Sequence, residues 1–448
     1  MSELASFFKE LHSCEVITPR TYGYDAKRRI FNGFIEKRPS LIVYPETENS
    51  LISAFNICRE RGNKFSIRAG GHNVAGTSIV EDGVVIDTSR MHRVKVDRKN
   101  KTAEIEPGAF WRDVDTIAAK FDLCTPGGII SDTGVAGLTL GGGIGWLNGL
   151  YGLACDNLIE AEVLLADGRV VKASSSENSD LLWALKGGGG NFGLVTKFVM
   201  KLHDLPNIFA GSIVYPYSEI ETAINRYVTT CLNASDKLTT SFVATTRSDK
   251  KIVSLDVCYA GDSLSGLYET DSLISLNSNI LEDTRKTRSY INWQREFDED
   301  IRRGLRSYWR SVFISNPLDP KFISTLNRYF SECPSEYTML TFDHIHGAST
   351  RVGRFETAYS HRNKNFLFLI NTNWEDSDDD NVNIDWCNRF YNDLISNFGA
   401  ENYVNYLSNE EDERIKLAYG VQTYEKLKVI KRKFDPKNLF SANQNIKA

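Results

Sequence analysis

At 448 residues the chain exceeds what one hydrophobic core usually supports, and at ~150 residues per domain two or three domains are expected. Hydrophobic residues at 41% and charged residues at 25% exclude a disordered or low-complexity chain. Lys and Arg total 53 against 58 Asp and Glu, and the net charge of −5 removes the electrostatic case for nucleic acid or an anionic membrane as partner.

The amino-terminal MSELASFFKELHSCEV has no basic n-region and no apolar run of signal-peptide length. No later run reaches a membrane span, so a soluble cytoplasmic protein is expected. From Pro39 onward short elements alternate: strand-like SLIVYP, helix-like ENSLISAFNICRERG, then strand-like KFSIRAGG, VVIDTS, RVKVDRK and KTAEIEPG. A helix is predicted over 111–120, followed by a glycine-rich region. AEVLLADGRVVKAS reads as a hairpin turning at Asp-Gly, and SDLLWALKG as a helix ending in glycines. The fold class is α+β, with too many hairpins for a doubly wound sheet. Beyond about Phe209 the strands lengthen. LTTSFVATTR, KIVSLDVCYAG, YTMLTFDHIHGA and FLFLINTNW alternate as a half-covered antiparallel sheet flanked by helices does, which puts a domain boundary near Pro206. Eight cysteines, Cys14, Cys58, Cys124, Cys155, Cys231, Cys258, Cys333 and Cys387, include no CxxC pair, so buried thiols are expected rather than disulfides or zinc.

Of the 32 glycines, 18 fall in three clusters: Gly70, Gly71 and Gly76; ten between Gly127 and Gly152; and Gly187 to Gly190 with Gly193. Such density lets backbone N–H groups approach a phosphate that a Cβ would hold off. No Gly-Lys-Ser/Thr triplet exists, which excludes a P-loop. Gly188, Gly190 and Gly193 spell GxGxxG, but they follow a helix and precede a strand, the reverse of the dinucleotide-binding order.

IRAGGHNVAG, TPGGIISDTGVAGLTLGGGIGWLNGLYGLACDN, WALKGGGGNFGLVT and the terminal YVNY and FDPKNLFSANQNI together resemble the berberine-bridge-enzyme-like FAD-linked oxidases, and especially the bacterial members related to 6-hydroxy-D-nicotine oxidase. The resemblance implies a PCMH-type FAD-binding domain of two α/β subdomains over 1–206. It implies a substrate domain over 207–400 and a carboxyl-terminal segment over 401–448 that returns to the FAD domain. Arg68, Gly70, Gly71 and His72 match the family's R-x-G-G-H, which makes His72 the covalent anchor of the flavin; the alternative is a turn histidine bonding backbone. Asn73 and Gly76 extend that turn. Gly134, Val135, Gly137, Gly142, Gly143, Gly145 and Trp146 match the pyrophosphate and ribityl loop. Asn157, Gly190, Asn191, Phe192, Gly193 and Val195 match further FAD positions, and Asn443 and Asn445 match flavin-ring contacts. Many relatives add a cysteinyl bond. Here Ile130, Ser131, Asp132 and Thr133 hold no cysteine, so a single link is expected.

The same resemblance makes Tyr403, Asn405 and Tyr406 the catalytic group. On a strand Tyr403 and Asn405 would share a face, with Tyr403 as base; a packing tyrosine is the alternative. The substrate domain offers Tyr308 and Trp309 in RSYWRSVFI, and Asp343, His344 and His346 in FDHIHGA, as candidate substrate contacts. The two histidines lack a third ligand at recognisable spacing, so no metal is expected. The activity implied is oxidation of a small molecule with O2 as acceptor and hydrogen peroxide as product. A dehydrogenase with another acceptor and an oxidative cyclase of secondary metabolism stand as alternatives.

Overall fold

The computed structural model describes Phe8 and residues 13–274, 279–409 and 412–448; most of the stretch read for a targeting signal lies outside them. A first sheet has the order β1-β2-β4-β3, from β1 (Cys14–Ile17), β2 (Leu41–Pro45), β3 (Phe65–Arg68) and β4 (Val84–Asp87). β2, β4 and β3 run parallel. β2 and β4 are buried along their whole length, as parallel strands covered on both faces are. The helix Glu48–Glu60 begins at Thr47, whose side chain accepts from the Ser50 N–H. It buries Leu51, Ala54, Phe55 and Cys58 at helical spacing against this sheet.

A second, antiparallel sheet has the order β5-β6-β10-β8-β9: β5 (Val94–Asp97), β6 (Thr102–Ile105), β8 (Leu158–Leu164), β9 (Val170–Ser174) and β10 (Leu194–Lys201). Asp167 and Gly168, the latter at φ +90°, turn β8 into β9. The short β7 (Leu123–Cys124) pairs β11 (His203–Asp204), after which the chain enters a third sheet.

That sheet comprises β12 (Ile208–Pro216), β13 (Leu238–Arg247), β14 (Lys250–Ala260), β15 (Glu282–Asp283), β17 (Arg306–Phe313), β18 (Met339–His344) and β19 (Phe366–Trp374), in the order β15-β12-β14-β13-β18-β19-β17, with β16 (Lys286–Arg288) also on β12. Alternation sorts its two faces. Phe242, Leu255, Phe342, Leu340, Phe368 and Ile370 pack with the helices Ile220–Asn233, Pro320–Ser331 and Asp380–Phe398. Ser241, Thr245, Ser254, Asp256, Thr341, Asp343 and Asn371 face a cavity instead. A one-residue slip would exchange the two sets, so burial fixes the register.

The last segment packs into the core of the second sheet through Val404, Leu407, Leu427, Ile430 and Ile446, and into that of the first through Phe440. Inside it the fully buried Lys431 and Asp435 pair at 2.6 Å, and Lys431 Nζ donates to the Asn191 carbonyl at 2.7 Å. Removing one partner would strand a buried charge, which costs about 3–5 kcal/mol. Among the described residues no helix is long and apolar enough to cross a membrane, and all eight cysteines are free.

Candidate active site

A cavity of about 590 Å³ runs from Phe65, Thr88 and Pro107, past the glycine loops, to the polar face of the third sheet. Its size is that of a small-molecule or cofactor site. Two loops form one wall. A Cβ on Gly70 would lie 2.5 Å from the Gly134 nitrogen, so only glycine lets these backbones touch. Outside any regular element, the N–H groups of Gly70, Gly71, His72 and Asn73 make no hydrogen bond among the described residues. The helix Val135–Gly141 begins on the same wall, where Gly134, Ala136 and Gly137 line the cavity. Of its first-turn N–H groups, that of Val135 donates to the Ala109 carbonyl at 2.9 Å, whereas those of Ala136 and Gly137 have no partner within the helix. Free donors on an extended cradle suit an anionic, elongated group such as a dinucleotide.

His72 sits where the lobes meet. Its Nε2 lies 3.3 Å from Asp132 Oδ2, and its ring stacks on Phe31 with centroids 4.6 Å apart. Burial lowers the imidazole's proton affinity, and the bond to Asp132 works against this. For Asp132, burial raises the pKa, but the bond from His72 and the Arg303 charge prevail and hold it well below the usual carboxylate range. Arg112 also pairs with Asp132. Arg303 donates to Asp132 at 2.7 Å and to the Gly70 carbonyl at 2.9 Å, crossing from the loop before β17.

At the sheet end Tyr406 Oη donates to Asp343 Oδ2 at 2.8 Å, and both residues line the cavity. Burial pushes the Asp343 carboxyl up to about 6, while the Tyr406 hydrogen bond opposes the rise. Residues Val404–Tyr406 form a 3-10 turn, not the strand that the sequence pattern predicts. Asn405 nevertheless meets Tyr403, because the tightened turn brings its Nδ2 within 2.8 Å of Tyr403 Oη. That hydroxyl also accepts from the Gly143 N–H at 2.8 Å. Tyr403 is buried, does not line the cavity, and has its pKa raised by burial with no cation beside it. Its surroundings are those of a strut rather than a base.

Of the other residues singled out above, Gly70, Gly71, His72, Asn73, Gly134, Gly137, Trp146, Gly190, Gly193, Val195, Asn443, Trp309 and Asn405 line the cavity. The rest stand behind it. Arg68 is buried in an ion pair with Asp87 at the ends of β3 and β4. Gly76 packs on Ile35; Val135 and Phe192 are core residues. Gly142 and Gly143 bend the chain with φ of +133° and +90°, and Gly145 lies against the Gly127 backbone. Asn157 bonds the Tyr151 and Leu153 carbonyls, and Asn191 bonds the Gly188 carbonyl and the Ile446 N–H. Asn445 Oδ1 is buried with no partner among the described residues. Tyr308 faces the helix Asp380–Phe398, where it donates to Asn388 at 3.3 Å, because β17 turns Trp309 and not Tyr308 to the cavity. His344 and His346 stack on each other at 4.1 Å away from the cavity lining. Asp132 carries no signature of its own in the sequence; Asp343, offered by FDHIHGA, reaches the cavity because Met339, Thr341 and Asp343 alternate onto one face of β18.

The chain matches known proteins in sequence and in fold. A family model described as FAD binding domain matches residues 39–174, and one described as berberine and berberine like matches residues 402–447. An FAD-linked oxidoreductase of Dictyostelium discoideum is 30% identical over 431 residues, 95% of this chain and 92% of its own. The structure of 6-hydroxy-D-nicotine oxidase from Arthrobacter nicotinovorans superposes with a TM-score of 0.87 at 26% identity, covering 97% of each chain. BBE-like 1 of Physcomitrella patens superposes at 0.89 with 22% identity over 99% of each.

Proposed function

Because this chain belongs to the berberine-like FAD-linked oxidoreductases, we propose that it is an oxidase removing a hydride from an alcohol, hemiacetal or amine carbon of a small molecule. The chemistry supplied by bound FAD is hydride acceptance, with O2 then reduced to hydrogen peroxide. The N–H groups of Gly70 to Asn73 and the start of the helix Val135–Gly141 would hold the diphosphate. His72 would carry the cofactor through one covalent bond, with no cysteinyl second link.

The observation that carries the reading is the Tyr406–Asp343 hydrogen bond on the cavity wall. As a substrate O–H or N–H gives its proton to Tyr406 Oη, the tyrosine's own proton passes to Asp343. A carboxyl group near 6 is ionised at neutral pH and can accept it. Tyr403, bonded to the Gly143 N–H, braces the turn that presents Asn405 and Tyr406.

Anaerobic mixing with panels of polyols, hydroxylated aromatics and cyclic amines, followed by air and a peroxide assay, tests this. Asp343→Asn and Tyr406→Phe should retain FAD and reduce it about 10²–10⁴ times more slowly. Unchanged reduction in both variants would remove the pair from the mechanism. Slow reoxidation in air would replace the oxidase by a dehydrogenase.

A further inference from the structure

His72 has two ring nitrogens, and its surroundings treat them differently. Nε2 faces Asp132 Oδ2 at 3.3 Å, while Phe31 stacks at 4.6 Å with 21° between the planes and so fixes the tilt of the ring. The carboxylate is itself fixed. Arg112 and Arg303 approach it from two lobes, and Arg303 also grips the Gly70 carbonyl, two residues before His72. One step along the chain, Ser131 is held through its N–H and hydroxyl by Asp298 at 2.9 and 2.6 Å. Two guanidinium groups favour the ionised carboxylate, which can only accept a hydrogen bond.

We propose that Asp132 is a positioning residue for cofactor attachment: it accepts the Nε2 hydrogen of His72 and so leaves Nδ1 with the lone pair that bonds the flavin's 8α-methyl carbon. The inference rests on the covalent reading of His72 given above and extends it to the residue that sets the tautomer. As the N–C bond forms, one methyl C–H bond breaks. The methyl proton and the imidazole proton are both released to solvent, while Asp132 stays ionised and holds the imidazolium that forms until its proton leaves. The electron pair of the broken C–H bond stays in the ring system until molecular oxygen takes it, with two protons, as hydrogen peroxide. The chain therefore gains FAD less two hydrogens. Without Asp132 the imidazole has no fixed acceptor for its hydrogen, and the two tautomers compete.

The test uses the full chain produced under riboflavin limitation, mixed with FAD in air, and followed by denaturing intact mass over time. Cofactor released by acid is measured in parallel. The wild-type chain is expected to gain FAD less two hydrogens. Asp132→Asn and Asp132→Ser, each taken as the monodisperse fraction from gel filtration, should bind FAD in an acid-releasable form and attach it about a hundredfold more slowly. Asp132→Glu, which restores the carboxylate, should recover most of the rate, an effect that mere packing at this site would not give. Attachment at the wild-type rate in either neutral variant would overturn the role of Asp132. A wild-type chain that gains no mass, like a His72→Ala control, would instead overturn the covalent reading itself.

Discussion

Two carboxylates near the cavity are tuned in opposite directions, and the tuning assigns them different work. Asp132 lies between guanidinium groups and stays ionised, which suits holding an imidazole. Among the described residues no cation sits beside Asp343, and burial raises it to about 6, which suits receiving a proton and releasing it again. Asp343 acts as acceptor only when ionised. The flavin-reduction rate should therefore climb as pH rises through about 6 and level off above it, and this limb should vanish in Asp343→Asn. Rapid-mixing rates between pH 5 and pH 8 check the expectation; a limb that persists in the variant would assign the ionisation elsewhere.

At the level of elements, the seam between the lobes includes the stacked pair His344 and His346 at the end of β18 and just beyond it. Asn148 of the helix Asn148–Tyr151 donates to the His344 carbonyl at 3.1 Å. Burial holds both imidazoles neutral, taking His346 from 6.5 down to about 4 and His344 well below its ordinary value. A histidine lowered on folding adds stability that is present above about 6.5 and is lost as pH falls through about 4, because the unfolded chain then binds more protons. Thermal unfolding of wild type and His346→Gln should therefore differ most above pH 6.5 and converge towards pH 4. A gap constant with pH would contradict it. The strands of the third sheet were legible because β18 alternates, with Phe342 between Thr341 and Asp343, and because β13 and β19 are long β-branched and apolar runs. The Asp-Gly turn between β8 and β9 was legible for the same local reason. The turn at Val404–Tyr406 was not. The tertiary bonds from Gly143 and the core contacts of Val404 fix it, and no local pattern records them. The partner of Arg68 is equally unrecorded locally: Asp87 lies nineteen residues on and meets it because β3 and β4 run in parallel register.

Across the whole molecule, the glycine loops of one lobe and the polar sheet face of the other close on a single cavity, and the loop over 297–305 crosses between them. Asp298 grips Ser131, and Arg303 grips Asp132 and Gly70. Hydrogen bonds to a charged group contribute about 1.5–3 kcal/mol. Asp298→Ala should accordingly lower the chemical-denaturation midpoint by a stability loss of about that size; an unchanged midpoint would show the strap to be dispensable. The glycine spacing pointed to a cradle and FDHIHGA offered Asp343, while Arg303, the partner crossing from the opposite lobe, emerges only once the chain is folded.

Every role proposed above requires a flavin that lies along the Gly70–Asn73 backbone and is bonded to the histidine within it. Proteolysis of the purified yellow protein, with peptides separated while flavin absorbance is followed, tests it most directly. One coloured peptide containing His72 is expected, with none containing Cys124 or Cys155. Colour released entirely as free FAD, or carried by a peptide that lacks His72, would contradict the account.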